Sequence, residues 1–209
     1  MIHAVLLGDS IFDNGRYVPG HPDVVAQLRQ ELAGQGTATL LAVDGHVTSD
    51  VSYQLRNLPT DASHLFVSVG GNDALRASGL LYEEARTVAS GIDRLRVVLD
   101  QFRSQYTSML DAVARSDKPT TLCTVYDSIP GLAPSAVTAL GGFNEVILRC
   151  AFERGLPVID LRLVCNESAD YSASSPIEPS HLGGAKIARV IVAVLREHDF
   201  NNRRTVVYV

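Results

Sequence analysis

The chain has 209 residues, of which 46% are hydrophobic and 20% are charged, as in a globular domain with a core of its own. Its net charge of −5 argues against a nucleic-acid-binding surface and against a basic membrane-binding patch. No apolar run is long enough to cross a bilayer, so we expect no membrane span.

The cysteines and the N-terminal residues indicate the state of the thiols, whether a metal site is expected, and the cellular compartment. The 3 cysteines are an odd number without the spacing of a disulfide framework, and we expect reduced, buried thiols. No group of cysteines and histidines has metal-ligand spacing, so the sequence predicts neither a metal ion nor another cofactor. The N-terminus has no basic leader and reads as a first strand, which favours a cytoplasmic protein.

Short apolar runs alternate with helical patterns along the chain. The runs predict five strands, at Ile2–Leu7, Thr37–Val43, Leu65–Val69, Thr120–Val125 and Pro157–Ile159. Helical patterns occupy residues 21–34, 46–58, 82–115, 135–155 and 185–198. This alternation predicts a mostly parallel sheet with helices on both faces, in a single domain over residues 1–209.

Two segments allow more than one interpretation. Apolar residues between Tyr82 and Arg115 recur at steps of three and four, which fits a helix along a sheet face or a coiled coil; the predicted sheet favours the first. Gly91 is a candidate point for a bend or a break in that helix. The tail at 200–209, FNNRRTVVYV, returns to β-type residues and is either an edge strand or a contact in a homodimer.

Loops at the carboxyl ends of parallel strands are where sites form in such sheets. In this chain, those loops and the segment before the last helix carry seven polar or glycine positions, namely Asp9, Ser10, Gly45, Asn72, Asp73, Glu178 and His181. Each one alone has an ordinary explanation, since a serine in a strand-exit turn is more often a helix cap and Asn72 with Asp73 can form an Asx-turn.

Taken together, these positions supply what acyl transfer to a serine requires. A hydroxyl is a poor nucleophile unless an imidazole accepts its proton, and a carboxylate close by orients that imidazole. The developing oxyanion needs donors already aimed at it. Here those donors would be the backbone N–H groups of Ser10 and Gly45 and the side-chain amide of Asn72.

The order and spacing of these residues resemble the SGNH, or GDSL-type, hydrolases. The matches to the sequence blocks of that family are, in chain order, Gly8-Asp9-Ser10, Gly45, Gly70-Gly71-Asn72-Asp73 and His181. They extend from residue 3 to about 196, and four blocks in order are far more specific than one. The resemblance implies a three-layer α/β/α, flavodoxin-like fold and ester hydrolysis through an acyl-enzyme.

The resemblance also implies roles for individual residues. They are Ser10 as nucleophile and oxyanion donor, Gly45 and Asn72 as further donors, His181 as general base, and Asp9 and Asp73 as supports of their turns. The aspartate that the family has three residues before the histidine is here Glu178. Glutamate has the same carboxylate on a longer arm, so we assign Glu178 as the acid of the triad, with a Ser-His dyad as the alternative.

The sequence therefore predicts a serine esterase that acts on small acyl esters or O-acetyl groups, with a small-molecule ester as its partner. A modest apolar acyl pocket is expected from the loop residues Ile11, Phe12, Leu75, Leu80, Ile129 and Leu132. No loop has the length of a lid, which argues against a long-chain lipase. Two alternatives stay open: an acyltransferase that uses the same acyl-enzyme, and a ligand-binding protein that has lost turnover.

Overall fold

The structure is a computed structural model that describes all 209 residues. Its strands are β1 (Ile2–Gly8), β2 (Gly36–Leu40), β3 (His64–Ser68), β4 (Thr120–Cys123), β5 (Val158–Ile159) and β6 (Val207–Tyr208). They form one 6-stranded sheet in the order β2-β1-β3-β4-β5-β6, and every pair is parallel. The first five strands follow the flavodoxin-like order.

Helices cover both faces of the sheet, which confirms the three-layer α/β/α architecture. They are α1 (Val24–Glu31), α2 (Val51–Gln54), α3 (Gly71–Ala77), α4 (Val88–Ala114), α5 (Pro134–Arg154), α6 (Leu161–Val164) and α7 (His181–Glu197). No helix is both long and apolar enough to span a bilayer.

Two hydrophobic cores lie on opposite faces of the sheet because successive residues of a strand point to opposite sides. On β1, Leu6 packs in the core beneath α1 and α7, while Val5 and Leu7 pack in the core beneath α4 and α5. Cys123, Cys150 and Cys165 are free and buried in these cores, as the sequence predicted.

The tail provides a sixth strand, so the prediction of five strands was one too few. Val207 of β6 lies in register with Val158 of β5, which places the tail at the edge of the sheet. The long helix α4 continues through Gly91 without a break. By contrast, the predicted helix at 46–58 is only the short α2, with 3₁₀ turns before and after it.

Glycine at the end of β1 permits the close approach that builds the site. Gly8 has a φ of 128°, and a Cβ atom on it would lie 1.8 Å from the carbonyl oxygen of Ser68 at the end of β3. Only glycine fits this position. Gly70, with a φ of 126°, then turns the chain from β3 into α3. Ser10 and the first turn of α3 therefore leave neighbouring strands at one edge of the sheet.

Candidate active site

Ser10 lies in the tight turn that leaves β1. The carbonyl of Asp9 accepts hydrogen bonds from the amides of Phe12 and Asp13, each at 3.1 Å, and the carboxylate of Asp9 accepts one from the amide of Ile11 at 3.2 Å. The residue Ser10 itself is only 6% exposed. Its backbone N–H donates to no group of the chain, so it is free to bind a developing oxyanion.

The other two predicted oxyanion donors lie on the neighbouring loops. The side-chain amide of Asn72 donates one hydrogen to the carbonyl of His46 at 2.9 Å, and its second hydrogen is uncommitted. Gly45 occupies the left-handed region with a φ of 82°, in a loop that the amide of Asp44 ties to the carboxylate of Asp13 at 2.9 Å. Asn72 shares a cavity with Ser10, whereas Gly45 is exposed and lies outside it.

Asp73 connects α3 to the segment after β2. One of its carboxylate oxygens accepts hydrogen bonds from both the amide and the hydroxyl of Thr48, each at 3.0 Å. Burial raises the pKa of Asp73, and these hydrogen bonds lower it in part. The contacts hold the start of α3, and with it Asn72, against the Gly45 loop. Bracing of this kind is the role that the resemblance implied for Asp73.

Glu178 brings a second carboxyl to the turn of Ser10. It lies in the segment before α7 and is 4% exposed. Its side chain lines the same cavity as Ser10, and burial raises its pKa to about 7 although the nearby Ser10 hydroxyl lowers it. The oxygen Oε2 of Glu178 is buried and has no hydrogen-bond partner. The carboxyl therefore has one free acceptor at the site.

His181 is the first residue of α7, and its ring makes a different contact from the one predicted. The imidazole stacks on that of His21, with ring centroids 4.1 Å apart and planes 9° apart. It forms no hydrogen bond with Ser10 or Glu178, and only its backbone carbonyl is bonded, by Gln27 at 3.1 Å.

The structure thus places Glu178 and Ser10 on the same cavity and the His181 ring on His21, and the predicted hydrogen bonds of His181 to Glu178 and to Ser10 are not formed. The assignment of the three residues as a catalytic triad stays a prediction.

Asp9 is the other buried carboxyl of the site, 2% exposed beneath the Ser10 turn. Burial is the largest cause of its displaced pKa, which is raised to about 8 despite the hydrogen bond from Ile11. The negative charge of Glu178 raises it further. Folding therefore favours the protonated form of Asp9.

Asp9→Asn is expected to make the free energy of unfolding less dependent on pH. The folded pKa lies above the ordinary value of 3.8, so the folded state binds the proton more tightly and wild-type stability falls as pH rises from about 4 to about 8. At pH 8.5 the variant is expected to be more stable than wild type by on the order of 5 kcal/mol, and at pH 4 to match it. Urea unfolding across this pH range measures the difference, with the exposed Asp93→Asn as the control. Parallel curves of unfolding free energy against pH for Asp9→Asn and wild type would contradict the prediction.

Two buried amide side chains that hold the sheet edge were missed from the sequence. Gln54 of α2 accepts a hydrogen bond from the Gly8 amide at 2.8 Å and donates to the Gly8 carbonyl at 2.7 Å. Asn144 of α5 does the same for Val125 after β4, at 2.8 Å in both directions. Neither residue carries a sequence signal, because each one lies within an ordinary helical pattern.

A mostly hydrophobic cavity of about 140 Å³ opens from Ser10. Five of the six residues predicted to form an apolar pocket line it, namely Ile11, Leu75, Leu80, Ile129 and Leu132. Phe12 does not, because its side chain is fully buried in the core beneath α1 and α7. Asn72 and Glu178 lie at the polar end of the cavity with Ser10.

These features define the class of site. A serine at the carboxyl edge of a parallel sheet lies beside amide donors, a buried carboxyl and an apolar cavity, which is the arrangement of a serine hydrolase. No group of three or more histidine, cysteine or acidic side chains is placed to hold a metal ion. A sequence profile of the GDSL-like Lipase/Acylhydrolase family matches residues 6–185, and the chain therefore belongs to that family of carboxylic-ester hydrolases.

Solved structures with the same fold cover nearly the whole chain. A lipase from a goat rumen metagenome has a TM-score of 0.71 and 19% identity, over 92% of this chain and 97% of that one. A catalytic mutant of the acetylxylan esterase Axe2 from Geobacillus stearothermophilus has 0.69 and 17%, over 95% of each chain. An extracellular lipase from Streptomyces rimosus has 0.66 and 17%, over 92% and 99%. No curated protein sequence matches the chain.

Proposed function

We propose that the enzyme hydrolyses small-molecule acyl esters through an acyl-enzyme formed on Ser10. The observation that carries this proposal is the setting of Ser10: it is a turn residue with an uncommitted backbone N–H, and it lines a mostly apolar cavity together with the Asn72 amide. The esterase and lipase names of structurally similar proteins also support an ester as the substrate.

In the proposed first step, the Ser10 hydroxyl oxygen attacks the ester carbonyl carbon and its proton passes to a ring nitrogen of His181. The carbonyl oxygen becomes an oxyanion, which accepts hydrogen bonds from the Ser10 amide and Asn72, with Gly45 as the third donor. The oxyanion then collapses, the bond from the carbonyl carbon to the alcohol oxygen breaks, and His181 gives its proton to that oxygen, which leaves the acyl group on Ser10. In the second half, His181 takes a proton from water as the water attacks the acyl carbon, the bond to the Ser10 oxygen breaks, and the proton returns to that oxygen as the acid leaves.

For these steps the His181 ring has to turn away from His21 and towards Ser10. Rotation about side-chain bonds at the first residue of a helix leaves the backbone hydrogen bonds of α7 intact. The unpartnered Oε2 of Glu178 is the acceptor available for the second ring N–H of His181. That contact would fix the tautomer and stabilise the imidazolium as it forms.

A fluorophosphonate probe tests the proposal on the wild-type enzyme. We expect one probe molecule per chain, attached at Ser10 as located by peptide mass spectrometry, with loss of p-nitrophenyl butyrate hydrolysis in step with labelling. Adding ethanol during turnover then separates water from alcohol as the acceptor. Butyric acid as the main product supports hydrolysis, ethyl butyrate as the main product supports the acyltransferase alternative, and neither labelling nor turnover supports a binding protein.

A further inference from the structure

We propose that the cavity beside Ser10 holds the acyl part of the substrate and selects uncharged acyl chains of about six carbons over acetyl groups. This inference rests on the proposed function, in which Ser10 is the nucleophile and His181 protonates the leaving alcohol. It concerns what enters the site, and the chemistry at Ser10 is the same for either chain length.

The size of the cavity sets the length of the chain. Its volume of about 140 Å³ is close to that of an engineered apolar protein cavity of about 150 Å³ that binds benzene, a molecule of six carbons. An acetyl group has a single methyl beyond its carbonyl carbon and would leave most of this space unfilled. Filling apolar space with methylene groups is favourable by about 0.8 kcal/mol each, a factor of roughly four in affinity.

Small side chains on two facing helical segments create the space. The alanines that line the cavity are Ala74 and Ala77 of α3 and Ala136 and Ala139 of α5. Larger apolar side chains share the lining with them, among them Leu95 of α4 and Phe143 of α5. Helices packed on the sheet supply much of the lining, and the cavity is already formed in the unliganded protein, so no loop has to close to create it.

The charges in the lining exclude polar and anionic acyl groups. No lysine, arginine or histidine lines the cavity, and its only acidic side chains are Asp9 and Glu178 at the Ser10 end. A carboxylate at the far end of an acyl chain would be buried there without a partner, which is costly. Sugar hydroxyls would meet few hydrogen-bonding side chains beyond the Ser10 end, namely Ser78 and Tyr126, and the Tyr126 hydroxyl already donates to the Ile177 carbonyl at 2.8 Å. An uncharged hydrocarbon chain is the group that fits.

The position of α7 decides which half of the ester enters the cavity. The leaving alcohol has to accept a proton from His181, the first residue of α7. No residue of α7 itself lines the cavity. Its hydrocarbon walls come from α3, the 3₁₀ turn Ser78–Tyr82, α4, the segment 125–132 after β4 and α5, and from the segment before α7 only Ile177 and Glu178 line it. The alcohol therefore extends towards α7, and the acyl chain occupies the cavity.

A series of p-nitrophenyl esters from acetate to dodecanoate tests the inference on the wild-type enzyme, because the alcohol is constant. We expect kcat/KM to rise by roughly threefold to fourfold per methylene up to hexanoate, for a total of about 100-fold over acetate, and to fall beyond octanoate. An acetate rate equal to or above the hexanoate rate would overturn the inference.

A variant that fills the cavity adds a second, independent test. Ala139→Leu is expected to lower the ratio of hexanoate to acetate kcat/KM at least about tenfold, since its added carbons occupy the acyl space. Thr138→Leu is the matched control, because Thr138 is the adjacent, exposed residue of α5 and should leave the ratio at its wild-type value. An unchanged ratio in an active Ala139→Leu enzyme would contradict the inference; if that variant is inactive on both esters, the wild-type series decides.

Different results would contradict the proposed function and the proposed selection of acyl-chain length. Turnover that favours acetate, with Ser10 still labelled by the fluorophosphonate, would reject medium-chain selection and leave the proposed function in place. No turnover of any ester, with no labelling of Ser10, would reject the proposed function itself.

Discussion

Ser10→Ala is expected to lower kcat for p-nitrophenyl butyrate by about 10⁴-fold or more and to abolish fluorophosphonate labelling. The serine oxygen is the atom to which the acyl group is transferred, so the variant has no covalent route and retains only what oxyanion binding and positioning contribute. Stopped assays with milligram amounts of purified variant are needed to measure a residual rate this low. Contamination with wild-type enzyme sets the lowest rate that can be measured.

The matched control is Ser52→Ala, which removes the hydroxyl of an exposed serine on α2 far from the cavity lining. It should retain wild-type kcat within about twofold, because exposed substitutions of this kind seldom disturb a fold. The Ser10 variant should unfold in urea near the wild-type midpoint, which separates lost chemistry from lost structure. A Ser10→Ala rate above a few per cent of wild type would show that another group is the nucleophile.

His181→Ala is expected to lower kcat by about 10³-fold or more, whereas Glu178→Gln is expected to lower it by about 10- to 100-fold. The histidine moves the proton in both half-reactions, while the carboxyl orients the ring and stabilises its charge. Wild-type activity should rise with pH through about 7, because Glu178 must be ionised to accept the ring N–H and His181 must be neutral to accept the serine proton. Rates of the three enzymes from pH 5 to 9 measure both effects.

His21→Ala is the control for loss of an imidazole, since this ring stacks on His181 and makes no contact with Ser10. We expect less than a tenfold change in kcat from it. The reverse order, with Glu178→Gln more damaging than His181→Ala, would mean that the carboxyl facing Ser10 takes its proton directly. A wild-type rate that is flat from pH 5 to 9 would contradict both residues as the base.

The strands and the long helices were predictable because they bury regular patterns. Alternating or continuous apolar runs identified β1, β3 and β4, and the three-and-four spacing identified α4. The short elements were not predictable in the same way. α3 spans Gly71–Ala77, a length at which amphipathic spacing is hardly visible. The β-type residues of the tail did indicate an edge strand as one of two interpretations, and the structure confirms it, but β6 is only two residues long and its pairing depends on β5 being next to the edge.

In the candidate site, too, features set by local sequence were predictable and contacts between distant residues were not. The sequence marks three turns of the site by glycine, at Gly8, Gly45 and Gly70, and each has a positive φ angle that favours glycine. These turns place Ser10 and Asn72 at one edge of the sheet. Whether Glu178 reaches His181 or Ser10 depends on a single methylene and on side-chain torsions, which no residue pattern records. The two hydrogen bonds between the Gln54 side chain of α2 and the backbone of Gly8 in β1 join residues far apart in the chain, so no local pattern predicts them.

The reacting groups and the cavity wall come from separate stretches of the chain. Ser10 and Glu178 belong to its two ends, while the alanines and leucines of the wall belong to residues 71–143 in its middle. Swapping residues 74–143 among members of the family, with Asn72 and Asp73 kept, would exchange one substrate preference for another while the bond-breaking groups remain where they are. New substrate preferences in this fold would then arise by substitution in the cavity wall, without change to the catalytic residues.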